Sequence, residues 1–207
     1  LIASMSAENG RTLELVGRAA LHGDAERERL FFALWPTRKT AMALHALACR
    51  QAVGTGGRVT RMDSIHLTVA FLGHVPVGRI DALRAPPPDP AAPAFDMALD
   101  EVGHWVRNGI VWAGPSEVPP ALSALHTRLS DWVVSLGIAL DTRPFRPHVT
   151  LLRKAARGDL AEFRAPVEWQ VTEYALVRSG RRADGPRYET IARFPLKPLN
   201  PGDANPS

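Results

Sequence analysis

Ile65-His66-Leu67-Thr68-Val69 returns later in the chain as Pro147-His148-Val149-Thr150-Leu151. In an extended strand residues two apart share a face. His66 and Thr68 therefore project together, with Ile65, Leu67, Val69 and Phe71 expected on the other side. The second copy repeats the division: His148 and Thr150 on one face, Val149 and Leu151 on the other. A polar His–Thr face backed by an apolar one describes a strand with one side in a core and the other lining a cleft. The two histidines lie 82 positions apart (148 minus 66), about half of the patterned region. A duplicated lobe would give that spacing.

Outward from these strands, helix and strand patterns alternate. Arg29–Trp35 reads as a buried strand closed by Pro36. Thr37 is placed to cap a helix over Arg38–Val53, whose apolar side would be Met42, Leu44, Leu47 and Ala48. Gly54-Thr55-Gly56-Gly57 breaks it and reads as a connector, since no lysine follows where a phosphate-binding loop needs one. Val77–Leu83 suggests a short helix. Pro86-Pro87-Pro88, with Pro90 and Pro93, forms a stiff boundary between halves. Phe95, Met97 and Leu99 alternate as a strand does. Ile110–Ala113 is another strand, with Arg107-Asn108-Gly109 as a hairpin turn. Leu122, Leu125, Leu129, Trp132, Val133 and Leu136 recur at helical spacing, and Gly137 is a natural stop. Strands are expected at His148–Leu152, Val167–Arg178 and Tyr188–Leu196, with hairpins around Ser179–Pro186. The mixture gives an α+β class. Residues 1–28 read as an N-terminal extension, with a weak helix over Thr12–Leu21. Residues 29–197 form one domain of two lobes, and 198–207 a loose tail.

The 207 residues are 45% apolar and 22% charged, enough for one substantial core or two small lobes sharing one. Net charge is +4, from 25 Lys and Arg against 21 Asp and Glu, and nearly all the cations are arginine. That permits an anionic partner without requiring one. The single cysteine, Cys49, forms no disulfide within the chain and is expected in the core of its helix. No stretch is apolar enough to span a bilayer or to serve as a secretory leader. A soluble cytoplasmic monomer is the expectation.

Two histidines across a cleft can do complementary proton chemistry near neutral pH. One, neutral, takes a proton from attacking water; the other, protonated, gives one to the departing oxygen. The threonine hydroxyls can donate to phosphate oxygens, in bonds that strengthen as charge accumulates in the transition state. Such a site calls for no metal and no cofactor, and neither histidine has a convincing third ligand for zinc in sequence. One His-x-Thr alone is an ordinary surface or half-buried pair; two symmetrically placed copies favour catalysis. His22, His45, His74, His104 and His126 lack a paired pattern and read as surface or locally bonded. Arg178, Arg181, Arg182, Arg187 and Arg193 form either a phosphate-tracking patch or a solvated hairpin.

The sequence also resembles a known family. Leu30-Phe31-Phe32-Ala33-Leu34-Trp35-Pro36, His66-Leu67-Thr68-Val69-Ala70-Phe71-Leu72-Gly73 and Arg143-Pro144-Phe145-Arg146-Pro147-His148-Val149-Thr150-Leu151-Leu152-Arg153 look like the RNA 2′,3′-cyclic phosphodiesterases, formerly named 2′-5′ RNA ligases, of the two-histidine phosphoesterase superfamily. Gly103-His104-Trp105-Val106-Arg107, Val111-Trp112-Ala113-Gly114 and Arg187-Tyr188 are similar too. The resemblance runs from about Arg29 to about Leu196. It implies a bilobal fold, two antiparallel sheets with flanking helices around a central cleft, related by a pseudo-twofold. It implies hydrolysis of an RNA or nucleoside 2′,3′-cyclic phosphate to a 2′-phosphate, with 2′-5′ joining as the reverse-type reaction. His66 would be the proton donor to the leaving 3′ oxygen, His148 the base that activates water, and Thr68 and Thr150 the phosphate holders. Arg153 matches a family position, but strict alternation puts it opposite His148 unless the strand ends or bulges near Leu152. Phe145 would stack on a base or, more simply, fill the core. The competing functions are an RNA-binding module without turnover and a phosphoesterase for another small phosphodiester, such as a 2′-5′ oligonucleotide.

Overall fold

The computed structural model describes residues 26–87, 92–141, 143–182 and 185–198, without the side chains of 181, 182 and 185. The expected helix over Thr12–Leu21, part of the proline boundary and most of the tail lie outside these residues. Strand β1 (Arg27–Leu34) starts two residues ahead of the expected domain boundary. Helix α1 (Arg38–Thr55) begins where Thr37 Oγ1 accepts the backbone N–H of Thr40 at 3.2 Å. Its buried residues are Thr40, Ala41, Leu44, Leu47, Ala48, Gln51 and Thr55. Met42, 54% exposed, and Cys49, also exposed, fall outside that set, so both expectations for them are corrected. The helical repeat, not mean apolarity, decides which side chains face inward.

The connector then leads to β2 (Arg58–Val59), β3 (Leu67–Pro76), and a tight turn into α2 (Ile80–Arg84). Next come β4 (Phe95–Leu99), β5 (Glu101–Trp105), β6 (Ile110–Gly114) and α3 (Pro120–Ser135). Gly137, at φ 75°, ends the α3 region in the left-handed conformation that glycine adopts without strain. The chain closes with β7 (Val149–Arg153), β8 (Val167–Val171), β9 (Glu173–Arg182) and β10 (Gly185–Pro195). The turn at 107–109 joins β6 to β5, a strand whose Glu-Val-Gly-His-Trp sequence carries no simple alternation. Phe95–Leu99 pairs instead with β8 in a separate two-stranded sheet. The single strand expected over Val167–Arg178 is broken at Thr172, because its halves serve different sheets.

The fold is α+β with two antiparallel sheets. The larger has eight strands, in the order β10-β9-β1-β3-β7-β6-β5, with β2 added on the edge of β7. The first four strands of that order belong to one lobe and the last three to the other. They meet at one antiparallel pair, Leu67 with Val149. Helix α1 packs against β7 and β8, and α3 against β3. Leu67, Val149, Leu151 and Leu152 are fully buried in the common core. The opposite face carries a second, smaller apolar cluster of Phe31, Ala33, Ala175 and Val177, flanked by Trp35 and Tyr188. Among the described residues no helix is long and apolar enough to cross a membrane.

Candidate active site

The Leu67–Val149 pair fixes the geometry of the two His-x-Thr strands. One residue further along the same antiparallel register, His66 stands opposite Thr150 and Thr68 opposite His148. Directly opposed residues share a face, so all four side chains come to one side of the sheet. Leu67 and Val149 go to the other, into the core. The two histidines are diagonal neighbours across the pair, within reach of each other's side chains.

Both rings are held the same way. His66 Nδ1 lies 2.8 Å from the carbonyl oxygen of Ser64, and His148 Nδ1 lies 2.8 Å from that of Arg146. A carbonyl only accepts, so each Nδ1 carries the donated hydrogen. The lone pair of each neutral ring is thereby left on Nε2, the atom available for proton exchange. The acceptor sits two residues before the histidine in both copies, which extends the internal duplication to the backbone.

The surroundings differ. His66 is enclosed by Phe31, Trp35 and Tyr188, with ring centroids 5.1, 5.1 and 4.8 Å away. His148 meets Trp105 edge-on at 4.6 Å, and Trp105 in turn packs on Trp112 at 5.4 Å. Desolvation within its aromatic enclosure is the main reason that His66 falls to a pKa of about 4, and the charges of Arg153 and His148 lower it further. His148 is lowered too, first by burial and then by Arg153. The carbonyl bonds oppose both shifts.

Arg153 does reach the cleft, and a bulge is the reason. On β6, Trp112 pairs with Thr150 but Val111 pairs with Leu152, which leaves Leu151 as an extra residue. Leu151 and Leu152 are consequently both fully buried, and alternation resumes with Arg153 on the face of His148 and Thr150. Arg153 lines one hollow with His66, Thr150, Ser64 and Tyr188. β3 carries the same bulge. Ala33 pairs with Thr68 and Phe32 with Ala70, leaving Val69 extra. Val69 and Ala70 are both buried, and Phe71 turns outward, 39% exposed, with the Arg29 guanidinium 4.9 Å from its ring centre. The expectation that Phe71 faces the core is corrected. Each bulge lies three residues after its histidine, so Phe71 is the counterpart of Arg153 in the other lobe.

The other candidates separate. Phe145 packs against the core and stacks on His126 at 4.0 Å, while His126 Nδ1 donates to the Val69 carbonyl at 2.7 Å. Arg178 pairs with Glu28 at 2.6 Å and with Glu189, and Arg193 pairs with Glu173. These two arginines are a carboxylate-paired part of the hairpin. Among the described residues no three His, Cys, Asp or Glu side chains gather as metal ligands would. Sequence reasoning did not single out the aromatic enclosure. Trp35, Trp105 and Tyr188 stood in the stretches quoted for the resemblance, but their convergence on the histidines depends on strand order.

Two imidazoles with matched tautomers and free Nε2 atoms, side by side on the shared face of a duplicated α+β fold, define the class: a two-histidine protein. The sequence profile of the 2′-5′ RNA ligase superfamily matches residues 57–183, and the chain belongs to that family. It is 33% identical over 176 residues to the RNA 2′,3′-cyclic phosphodiesterase of Escherichia coli, covering 83% of this chain and 98% of that protein. It is 27% identical over 191 residues to the RNA 2′,3′-cyclic phosphodiesterase of Thermus thermophilus, covering 82% and 90%. The crystal structure of E. coli LigT complexed with 3′-AMP superposes with a TM-score of 0.71 at 32% identity, over 83% of this chain and 99% of that one.

Proposed function

We propose that this chain hydrolyses 2′,3′-cyclic phosphates of RNA, with His66 and His148 as the acid–base pair. The observation that carries the reading is the matched pair of imidazoles, each with Nδ1 tied to a carbonyl and Nε2 available. Water attacks the phosphorus of the cyclic diester. His148 takes the proton from that water through Nε2 as the new P–O bond forms. The P–O3′ bond breaks, and His66 donates its Nε2 proton to the leaving 3′ oxygen. The product is a 2′-phosphate. Thr68 and Thr150 donate hydrogen bonds to the non-bridging oxygens, and the Arg153 guanidinium offsets their charge. Each threonine stands opposite the other strand's histidine, so the phosphate is held by both lobes at once.

His66 is lowered to a pKa of about 4 in the free protein, while the donor role requires it to be protonated. A phosphate anion beside both rings raises both, by the opposite of the effect that Arg153 exerts. Substrate binding therefore loads the donor. Both motifs lie on one chain, so one chain carries the whole histidine pair, and the cytoplasm is its expected place of action. The side chains named supply both proton transfers without a metal. Turnover of a 2′,3′-cyclic nucleotide in excess chelator is expected, with a 2′-phosphate as the product. His66→Ala and His148→Ala are each expected to lose about 10²–10⁴-fold in rate. Full turnover by both variants, or a 3′-phosphate product, would exclude this mechanism.

A further inference from the structure

Helix α3 carries one side chain that touches both of the histidine-bearing segments. The ladder between β3 and β7 is the single pair Leu67 with Val149, and residues 144–148 approach β7 outside any strand. His148 therefore stands just ahead of the strand that it introduces. On β3, Val69 follows Thr68 directly and is the extra residue of the bulge, so it falls outside the regular ladder with β1. Carried two residues further, the Leu67–Val149 register sets Val69 opposite Pro147, which has no N–H to give. Val69 is buried, and a buried carbonyl without a donor is costly. His126 supplies the donor: its Nδ1 lies 2.7 Å from the Val69 oxygen.

The same ring lies flat on Phe145, with centroids 4.0 Å apart and planes within 5° of parallel. Phe145 packs against the core, and it precedes His148 by three residues (148 minus 145). Between them Arg146 provides the carbonyl that holds His148 Nδ1. One imidazole thus bonds to the residue after Thr68 and stacks on the segment that orients His148. Thr68 and His148 stand opposite each other across the joint, and the proposed reaction needs them on either side of one phosphate. The hydrogen bond acts in the plane of the ring and the stack acts normal to it, so together they fix the ring in both directions. Its base is fixed by α3, which is anchored in the core through Leu122, Leu125 and Leu129. A misplacement of about 1 Å between reacting groups can cost about 10²-fold in rate.

We infer that His126 is a positioning residue for the reaction: from α3 it sets Thr68 and His148 at the separation that the transition state requires. It acts through those two side chains and not on the substrate, and the role rests on the cyclic phosphodiesterase function proposed above. The test compares kcat and KM for a 2′,3′-cyclic nucleotide in variants that cut one link at a time. Each is assayed well below its own denaturation midpoint, so that only folded protein is read. His126→Phe keeps a ring on Phe145 and gives up the donor. Its kcat should fall about 10–100-fold, while KM changes little, because Thr150 and Arg153 still hold the phosphate. His126→Asn keeps an N–H near the place of Nδ1 and should recover a large part of the rate. Phe145→Leu cuts the other link and should lower kcat in the same sense. It decides the matter by the same reading where His126→Phe does not fold. Unchanged kcat in folded His126→Phe overturns the inference, and so does a His126→Asn variant no faster than His126→Phe. A check that needs no variant is the imidazole nitrogen NMR spectrum of the unaltered protein. Neutral His126 should carry its hydrogen on Nδ1, and a hydrogen on Nε2 also overturns the inference. An active protein indifferent to all three substitutions loses this role alone. An unaltered protein that opens no cyclic nucleotide removes the underlying function and this role with it.

Discussion

His66 and His148 are held alike and housed differently, and their titration should show it. Both are neutral in the free protein near pH 7, because burial disfavours the imidazolium and Arg153 adds to the effect. The pH dependence of kcat/KM reports the free enzyme, and that of kcat reports the enzyme–substrate complex. The kcat/KM profile is therefore expected to be a bell with both limbs below 6.5, and the kcat profile to lie at higher pH, since the bound anion raises both rings. The two limbs belong to the coupled pair and not to either residue alone. Free-enzyme limbs above pH 7 would contradict the enclosure described for His66. Arg153 provides an independent handle. Its positive charge lowers both histidines, so Arg153→Gln should move the kcat/KM limbs upward as well as raise KM. A raised KM with unmoved limbs would mean that Arg153 binds substrate too far away to act on the rings.

At the scale of elements, the site depends on two bulges and one hairpin. Without Leu151 as an extra residue, alternation would bury Arg153 and expose Leu152. The β5–β6 hairpin positions Trp105 against His148, and a glycine makes that possible: a methyl group on Gly103 would overlap the Trp112 indole, which packs on Trp105. Gly103→Ala should cost about 1–3 kcal/mol as an overpacked site. It should also lower activity through displacement of Trp105 from His148. Chemical denaturation and kcat measured on the same variant check both, and a variant of unchanged stability would show that the indole moves aside freely. The strands bearing the histidines were legible because each carries a polar–apolar alternation of its own. The bulges were not, since Thr-Val-Ala-Phe and Thr-Leu-Leu-Arg look like continued strands until their partners are known. β5 was missed for a related reason: Gly103 is present to make room for a neighbour's side chain, and a glycine weakens a strand signal in sequence. Met42 and Cys49 show the limit of composition, as both are apolar residues that the helical repeat turns to solvent.

At the scale of the molecule, duplication was legible as a spacing of two motifs, while the way the halves join was not. Nothing in either copy says that Leu67 will meet Val149, yet that pair merges the lobes into one sheet and brings the two polar faces together. The placement of His66 beside this joint makes the stability of the whole chain depend on pH. In the unfolded chain its pKa is near 6.5; folded, it is about 4. Between those values the unfolded chain binds a proton that the folded chain refuses, so protonation favours unfolding. The stabilisation is fully present above pH 6.5 and declines as the pH falls toward 4. The drop from 6.5 to about 4 corresponds to a ceiling of about 3 kcal/mol. His148 adds to the slope in the same direction. Unfolding free energy measured by denaturant at pH 7.5 and at pH 5 should therefore fall for the unaltered protein, in the absence of phosphate. His66→Phe keeps an aromatic ring among Phe31, Trp35 and Tyr188 but cannot bind a proton, and its loss between the two pH values should be smaller by about 1–2 kcal/mol. Bound phosphate should flatten the slope of the unaltered protein as well, by stabilising the imidazolium. Equal losses in the unaltered protein and the variant would show that His66 titrates normally in the folded state, and the aromatic enclosure would then have no part in tuning it.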